Sequence, residues 1–328
     1  MAVSSQATTE QLQIAQRLLE ILSPYGVQTR TDMIERGGRF VHYTSAENGL
    51  KIINTKTIWM RNTNCMTDYS EVQHGFNLLN KFFADTSKAG EFKSALDACA
   101  DGVGKQSFDL FNQWWNDIRF NTCITCVSEH DDSEDQHGRL SMWRAFAGAT
   151  ARVALVFKIP LTEDSAPSLN LLMIPVAYHN DARVERELKS VIKNIRDNQE
   201  FLRSIDREMF VQSIFSMLVT SVVCLKHEGF REEREWRVIY SPNLRPSPLI
   251  SPSIEVVGGV PQRVYKIPLA GGSPDLANVA IPSLLDRVII GPSPYPWPMY
   301  EAFVTALTAA GVTDANSRVF VSGIPIRS

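Results

Sequence analysis

The 328-residue chain has five cysteines, Cys65, Cys99, Cys123, Cys126 and Cys224, an odd number without the spacing of a disulfide framework. That fits a reducing compartment and a fold held by its own core. No basic segment followed by an apolar run opens the sequence, so no secretory signal is expected. The apolar stretches read as shorter than a membrane span, and a cytoplasmic location without membrane attachment follows as an expectation. Charge of one sign is also lacking. Thirty-three basic and 36 acidic residues leave a net charge of −3, too little asymmetry for a protein held to nucleic acid by bulk charge. The sequence has no G-x-x-x-x-G-K-[ST], no G-x-S-x-G and no G-x-G-x-x-G, which counts against nucleotide-triphosphatase P-loops, α/β-hydrolases and dinucleotide dehydrogenases.

What is present alternates irregularly between two periods. Residues 9–22 carry apolar side chains at helical spacing, and Pro24 and Gly26 are expected to end that helix in a polar link to Gly37–Gly38. Strands are predicted at 39–43, 57–60, 122–128, 151–159, 172–179, 235–240, 263–268 and 285–290. Thr44 and Ser45 are set to cap a helix over 46–53. Further helices are expected at 70–83, 140–146, 182–221 and 299–310, with the aromatics of 108–118 as core. The proline-rich stretch 241–252 reads as loop. Unequal helices between strands predict an α+β fold rather than a βαβ repeat. The expected organisation is an N-terminal helical extension, 1–38, then one domain, 39–328, with a helical insertion at about 182–221.

The segment Phe230–Tyr240, FREEREWRVIY, is the most informative. As one strand it would put Glu233, Glu235 and Arg237 on one face, towards solvent or a cleft, and Arg234, Trp236 and Val238 on the other. Two carboxylates one strand repeat apart can serve acid–base or cation-stabilising chemistry. The spacing fits an exposed, salt-bridged edge strand equally well. His42, in RFVHYTS, is followed by Thr44 and Ser45 at a helix start, where hydroxyl and N–H donors could meet a phosphate. Cys123-x-x-Cys126 with His130 and His137 invites a zinc reading. Strand positions three apart point to opposite faces, however, so no metal site is expected.

Five motifs occur in order between Phe40 and Gly311: His42-Tyr43-Thr44, Thr67-Asp68-Tyr69-Ser70-Glu71, Met142-Trp143-Arg144-Ala145-Phe146-Ala147, Glu233-Arg234-Glu235-Trp236-Arg237 and Val288-Ile289-Ile290-Gly291-Pro292. This pattern resembles a poorly characterised bacterial family of unknown function. It departs from that family where Thr67 and Tyr69 replace Asn and Pro and where Phe146 replaces Tyr. The arrangement is in turn similar to the ADP-ribosyltransferase fold, with a split, mainly antiparallel sheet, flanking and inserted helices, and NAD as substrate.

The resemblance implies that His42, supported by Tyr43 and Thr44, holds the adenosine ribose. It implies that Glu235 stabilises an oxocarbenium-like transition state, that Glu233 orients the acceptor, and that Tyr69, Trp143 or Phe146 stacks on nicotinamide. Arg234, Arg237 and Asp68 would line the acceptor side, with Arg231, Arg139, Arg144 and Arg152 nearby. The resemblance implies an enzyme of the toxin or phage-defence kind. The acceptor would be nucleic acid or protein, and an antitoxin or other regulatory protein would be a partner. Two other classes fit the same residues: a nucleotide-sensing module without turnover, and a nuclease or hydrolase holding a divalent cation with Glu233, Glu235 and Asp68.

Overall fold

The computed structural model describes residues 9–66, 71–145, 151–161, 167–272 and 274–325. The chain divides into two compact units. One comprises Met1–Asp32, Asp68–Phe120 and Val176–Phe230; the other comprises Met33–Thr67, Asn121–Pro175 and Arg231–Ser328.

In the first, helical unit, Leu18, Ile21 and Leu22 of the helix Thr9–Leu22 are buried. The first helix ends at Leu22, ahead of Pro24 as expected, but the segment that follows is not a polar link. Pro24 opens a second helix, Pro24–Glu35, because in a first turn the missing N–H has no partner to lose. The stretch expected to be helical over 182–221 is three helices, Asp181–Asp197, Gln199–Ser204 and Arg207–Cys224, restarted by Asn198 and by the cap of Asp206 on Met209. The helix Thr86–Asp97, capped by Asp85, has no counterpart in the predicted pattern. Of the aromatics expected as core, Phe111 is buried while Phe108, Trp114 and Trp115 are half-buried, Phe108 edge-on to Phe83 at 4.9 Å and Trp115 stacked on Phe76 at 4.1 Å.

By length and composition the helix Arg207–Cys224 could cross a membrane. Its Phe210, Ile214, Leu218, Val222 and Val223 are buried inside the unit, which accounts for its apolarity as that of a core helix.

The strands are β1 (Arg39–Ser45), β2 (Thr57–Asn62), β3 (Cys123–His130), β4 (Arg152–Phe157), β5 (Leu172–Pro175), β6 (Ala177–Tyr178), β7 (Leu225–Lys226), β8 (Glu235–Tyr240), β9 (Ser251–Val257), β10 (Val260–Pro268), β11 (Leu285–Ile290) and β12 (Val319–Val321). The short parallel pair β6–β7 belongs to the helical unit. The other ten form one sheet in the second unit, antiparallel except for β11–β12. The predicted strand 172–179 is thus two strands in two units, parted at Val176. β9 lies in and beyond the stretch read as loop; it is the last strand on its side of the sheet, where Pro252 is tolerated. The fold is α+β with a mainly antiparallel core.

The sheet forks. On one side β3 pairs with β8 along Cys123–Ser128, and β8 pairs with β5. On its other side β3 pairs with β1 only at Ser128–His130 and with β2 only at Cys123–Ile124. Beyond those short contacts β1 continues with β4, and β2 with β10. The trunk β5–β8–β3 therefore opens into two arms, β1–β4–β11–β12 and β2–β10–β9. The helix Ala46–Thr55 joins β1 to β2, and Ser45 caps it by accepting from the Asn48 N–H, as the sequence predicts.

One face of the first arm, with Val153, Leu155, Val288 and Ile290, packs on Ile52, Phe303 and Leu307 of flanking helices. The other face, with Val41, Tyr43, Ala154 and Ile289, packs on Met142 and Trp143 of the helix Leu140–Ala145.

Two glycines of the helical unit test this packing. A Cβ on Gly75 would lie 2.2 Å from the Val222 carbonyl oxygen, whereas one on Gly26 meets nothing within 4 Å. Gly75→Ala should destabilise by about 1–3 kcal/mol. Gly26→Ala, inside the helix Pro24–Glu35, should stabilise by up to about 1 kcal/mol through helix propensity. Urea denaturation of the two variants beside the parent checks both signs.

Candidate functional site at the fork

In an antiparallel ladder, alternate residues turn N–H and C=O towards the same neighbour. Ser128 pairs with Val41 of β1 and Ile124 with Arg61 of β2, so Cys126, midway between them, directs its backbone into the fork. β1 has peeled away there, and the side chain of His42 replaces it: Nδ1 lies 2.9 Å from the Cys126 carbonyl oxygen. A carbonyl can only accept, so Nδ1 carries the proton and Nε2 is the acceptor of the neutral ring. Burial lowers the His42 pKa below its ordinary value, opposed by the bond to Cys126. The half-buried His42 is therefore neutral at pH 7, with its ring between the arms.

Across β3, Arg237 of β8 is the register partner of Cys126, and Glu235 is that of Ser128. Arg237 is fully buried and Glu235 is 6% exposed. The Arg237 Nε donates to Glu235 Oε1 at 2.9 Å. This corrects the expectation of a solvent-facing Glu/Glu/Arg face: both faces of β8 are covered, Trp236 being fully buried on the opposite one. A carboxylate and a guanidinium two residues apart share a strand face and can satisfy each other there.

Glu233 does not continue the strand. It ends a 3-10 helix, Glu228–Glu233, and Arg234 takes a left-handed φ of 45°, breaking the alternation on which the shared-face reading rested. Glu233 is half-buried just ahead of β8.

Arg139 holds this junction. Its guanidinium donates to the carbonyls of Glu129, Glu232 and Glu233 and to the Glu134 carboxylate, and its backbone N–H donates to the Tyr43 hydroxyl at 2.7 Å. Tyr43 packs edge-on against Trp143 at 4.9 Å, while Trp143 Nε1 donates to the His137 carbonyl. Burial pushes the Tyr43 phenol up to about 12. A Cβ on Gly291 would sit 2.8 Å from the Trp143 ring, so the V-I-I-G-P motif needs glycine to let that ring in. Tyr43 and Trp143, implied as cofactor contacts, are thus core residues here.

The acidic loop after β3 gathers further arginines, among them Arg234, which the sequence offered to an acceptor. Arg234 pairs with Asp131 and Glu134, and Arg36 with Glu129 and Asp131. Arg39 bonds Asp132, Asp135 and Asp286, and Arg287 bonds Asp135 and Asp286. Burial alone would raise the Glu134 carboxyl, but hydrogen bonds from Arg139 and the Asp131 N–H, together with the Arg234 charge, hold it below the usual range. Arg234 and Arg237 are therefore engaged within the protein. Sequence reasoning missed Arg139 as the hub of this junction. The nearest signal was the excess of acid in 129–137 beside scattered arginines.

Thr44 is half-buried beside His42 on β1, next to the Ser45 cap. Cys123 and Cys126, three apart on β3, point to opposite faces as expected, and burial pushes the Cys123 thiol up to about 12. No cluster of three metal-ligating side chains occurs among the described residues. Asp68, Tyr69 and Phe146, named from the motifs, lie outside the described residues. The fold places His42 at the Cys126 carbonyl and, on the far side of β3, Arg237 opposite Cys126 and Glu235 opposite Ser128.

Residues 142–238 match a family model described as a protein of unknown function, DUF2971. The matched span runs from Met142 to Val238, so it contains Trp143 and the Glu233–Arg237 motif but not His42. No curated protein and no solved structure matches the chain.

Burial likewise lowers the pKa of His130, although its Nε2 bonds Asp135 at 3.0 Å. His42 and His130 both fall below the ordinary value of about 6.5, so their neutral forms stabilise the fold fully above that pH. This contribution is lost as pH falls from about 6.5 through the folded-state values, while the arginine-bound carboxylates fail only at more acid pH. Unfolding free energy measured by urea at pH 7.5, 6 and 5 should decline across that window. His42→Asn, which keeps a donor near the Nδ1 position, should reduce the decline; an unchanged pH dependence would remove His42 from it.

Proposed function

We propose that this protein is an NAD-dependent ADP-ribosyltransferase whose site lies at the fork of the sheet. The observation that carries the reading is the strand placement of the two residues: the early-strand histidine and the late-strand glutamate lie on the strands flanking β3. His42 sits in the gap at Cys126, and Glu235 is one strand away at Ser128. The ordered motifs and the split, mainly antiparallel sheet support the same reading.

In this scheme the neutral His42 ring offers Nε2 to a hydroxyl of the adenosine ribose, with Thr44 beside it. The bond between the nicotinamide nitrogen and C1′ of its ribose breaks, and nicotinamide leaves with the electron pair. Positive charge then develops on the ribose. A fixed carboxylate, Glu235, is stronger in that transition state than in the ground state, which is how preorganised charge accelerates a reaction. Glu233, just ahead of the strand, would orient the acceptor. The acceptor nucleophile bonds C1′ and gives up its proton to water. The acceptor is nucleic acid or protein, as suits a toxin or phage-defence effector, and a regulatory protein would restrain it in the cell.

The buried pair of Glu235 and Arg237 favours a second reading, a nucleotide-sensing module in which the carboxylate serves only as an ion pair. Turnover separates the two. With NAD labelled in its adenylate half, the transferase releases nicotinamide and moves label into a protein or nucleic-acid fraction. Glu235→Gln should lower nicotinamide release by about 10²–10³-fold, measured on protein shown to be folded, because the change also removes the partner of the buried Arg237. Binding of NAD without release would establish the sensing module. Excess EDTA should leave release unchanged, and its loss would favour the metal-dependent hydrolase.

A further inference from the structure

We infer that Arg237 is the positioning residue of this site: it fixes both the orientation and the charge of the Glu235 carboxylate. The inference rests on the transferase reading for its functional consequence, but its physical basis is independent of it.

β8 is an inner strand, hydrogen-bonded to β3 over six residue pairs and to β5 over four. Glu235 and Arg237 on it are both buried. At that place the chain carries two adjacent ionisable groups on one face, Glu235 at 6% exposure and Arg237 at none. A carboxyl so buried would take up a proton, because removing it from water penalises the charged form. A guanidinium does not give up its proton under these conditions, so its presence at 2.9 Å keeps the carboxylate ionised.

Geometry follows from the same contact. The bond runs from Nε, the donor nearest the backbone and the least mobile of the five, to one oxygen, Oε1. Arg237 is itself held by its register positions, opposite Cys126 on β3 and Ile174 on β5. Cys126 is also the residue whose carbonyl holds His42. One ladder position on β3 thus fixes both ends of the site, His42 through its carbonyl and Glu235 through Arg237. Arg237 is not a catalytic residue in this account, since it acts through the carboxylate. Nor is it a surface ion pair of small effect, because both partners are out of water.

The experiment uses the full chain as the parent protein, Arg237→Lys and Arg237→Met, each checked for folding by circular dichroism. Two readouts are taken: titration of the Glu235 carboxyl by carbon-detected NMR, assigned with Glu235→Gln, and the pH profile of nicotinamide release. Removing the charge in Arg237→Met should move the Glu235 titration to higher pH and carry the acid limb of the activity profile with it. Arg237→Lys keeps a charge without the fork geometry. Its titration should stay near the parent's while kcat falls by about 10²-fold and KM changes little. If Arg237→Met does not fold, Arg237→Lys decides alone by that split. A Glu235 titration that is the same in the folded Met variant and the parent overturns the inference whatever the activity does. In a parent that releases no nicotinamide, the transferase reading falls while the titration still decides whether Arg237 sets the carboxylate's charge.

Discussion

A backbone carbonyl at the fork of the sheet, which accepts from a histidine ring, organises the centre of this protein. Where β1 and β2 diverge from β3, the ladder lacks one step, and Cys126 faces the gap. An unmet carbonyl inside a protein costs on the order of 1–3 kcal/mol, so a fork of this kind requires a side chain able to reach back. His42 does so with Nδ1, and in doing so becomes neutral, fixed in tautomer and oriented. The break that lets the sheet open into two arms is thus also what places an imidazole between them.

The surroundings of the fork are built to keep it rigid. Five arginines, Arg36, Arg39, Arg139, Arg234 and Arg287, are tied to one short acidic loop after β3 and to Asp286 of β11. Arg139 alone spans the end of β3, the entry to β8 and the Tyr43 hydroxyl. Charges of both signs nearly cancel in this network, as they do over the whole chain. Its arginines therefore act as internal struts, and the acidic loop is their common anchor.

Burial separates the roles that motif order alone would merge. Tyr43 and Trp143 sit beside the proposed site in sequence logic, yet they pack on each other and on Val41, Ala154 and Ile289. Glu233 and Glu235 are two residues apart, yet a left-handed Arg234 puts one before the strand and one inside it. The consequence is a site with one deeply held carboxylate rather than a matched pair.

The sequence by itself determined the elements whose signals are local. The strand Glu235–Tyr240, the helix Thr9–Leu22, the Ser45 cap and the opposite faces of Cys123 and Cys126 follow from period, capping chemistry and alternation within a few residues. It also determined the α+β class, because strands and unequal helices follow each other without a repeat. Tertiary structure alone decided what depends on partners far along the chain. Whether the stretch after Pro24 is a link or a helix depends on what it packs against, and Met33 of that helix is buried against Phe40, Val127 and Trp236. Whether Arg234 meets solvent or Asp131 depends on a loop 100 residues away. Whether β1 stays paired to β3 beyond Val41, and so whether His42 continues a ladder or lies at its break, depends on how β1 and β2 diverge from β3, a strand more than 60 residues along the chain from either.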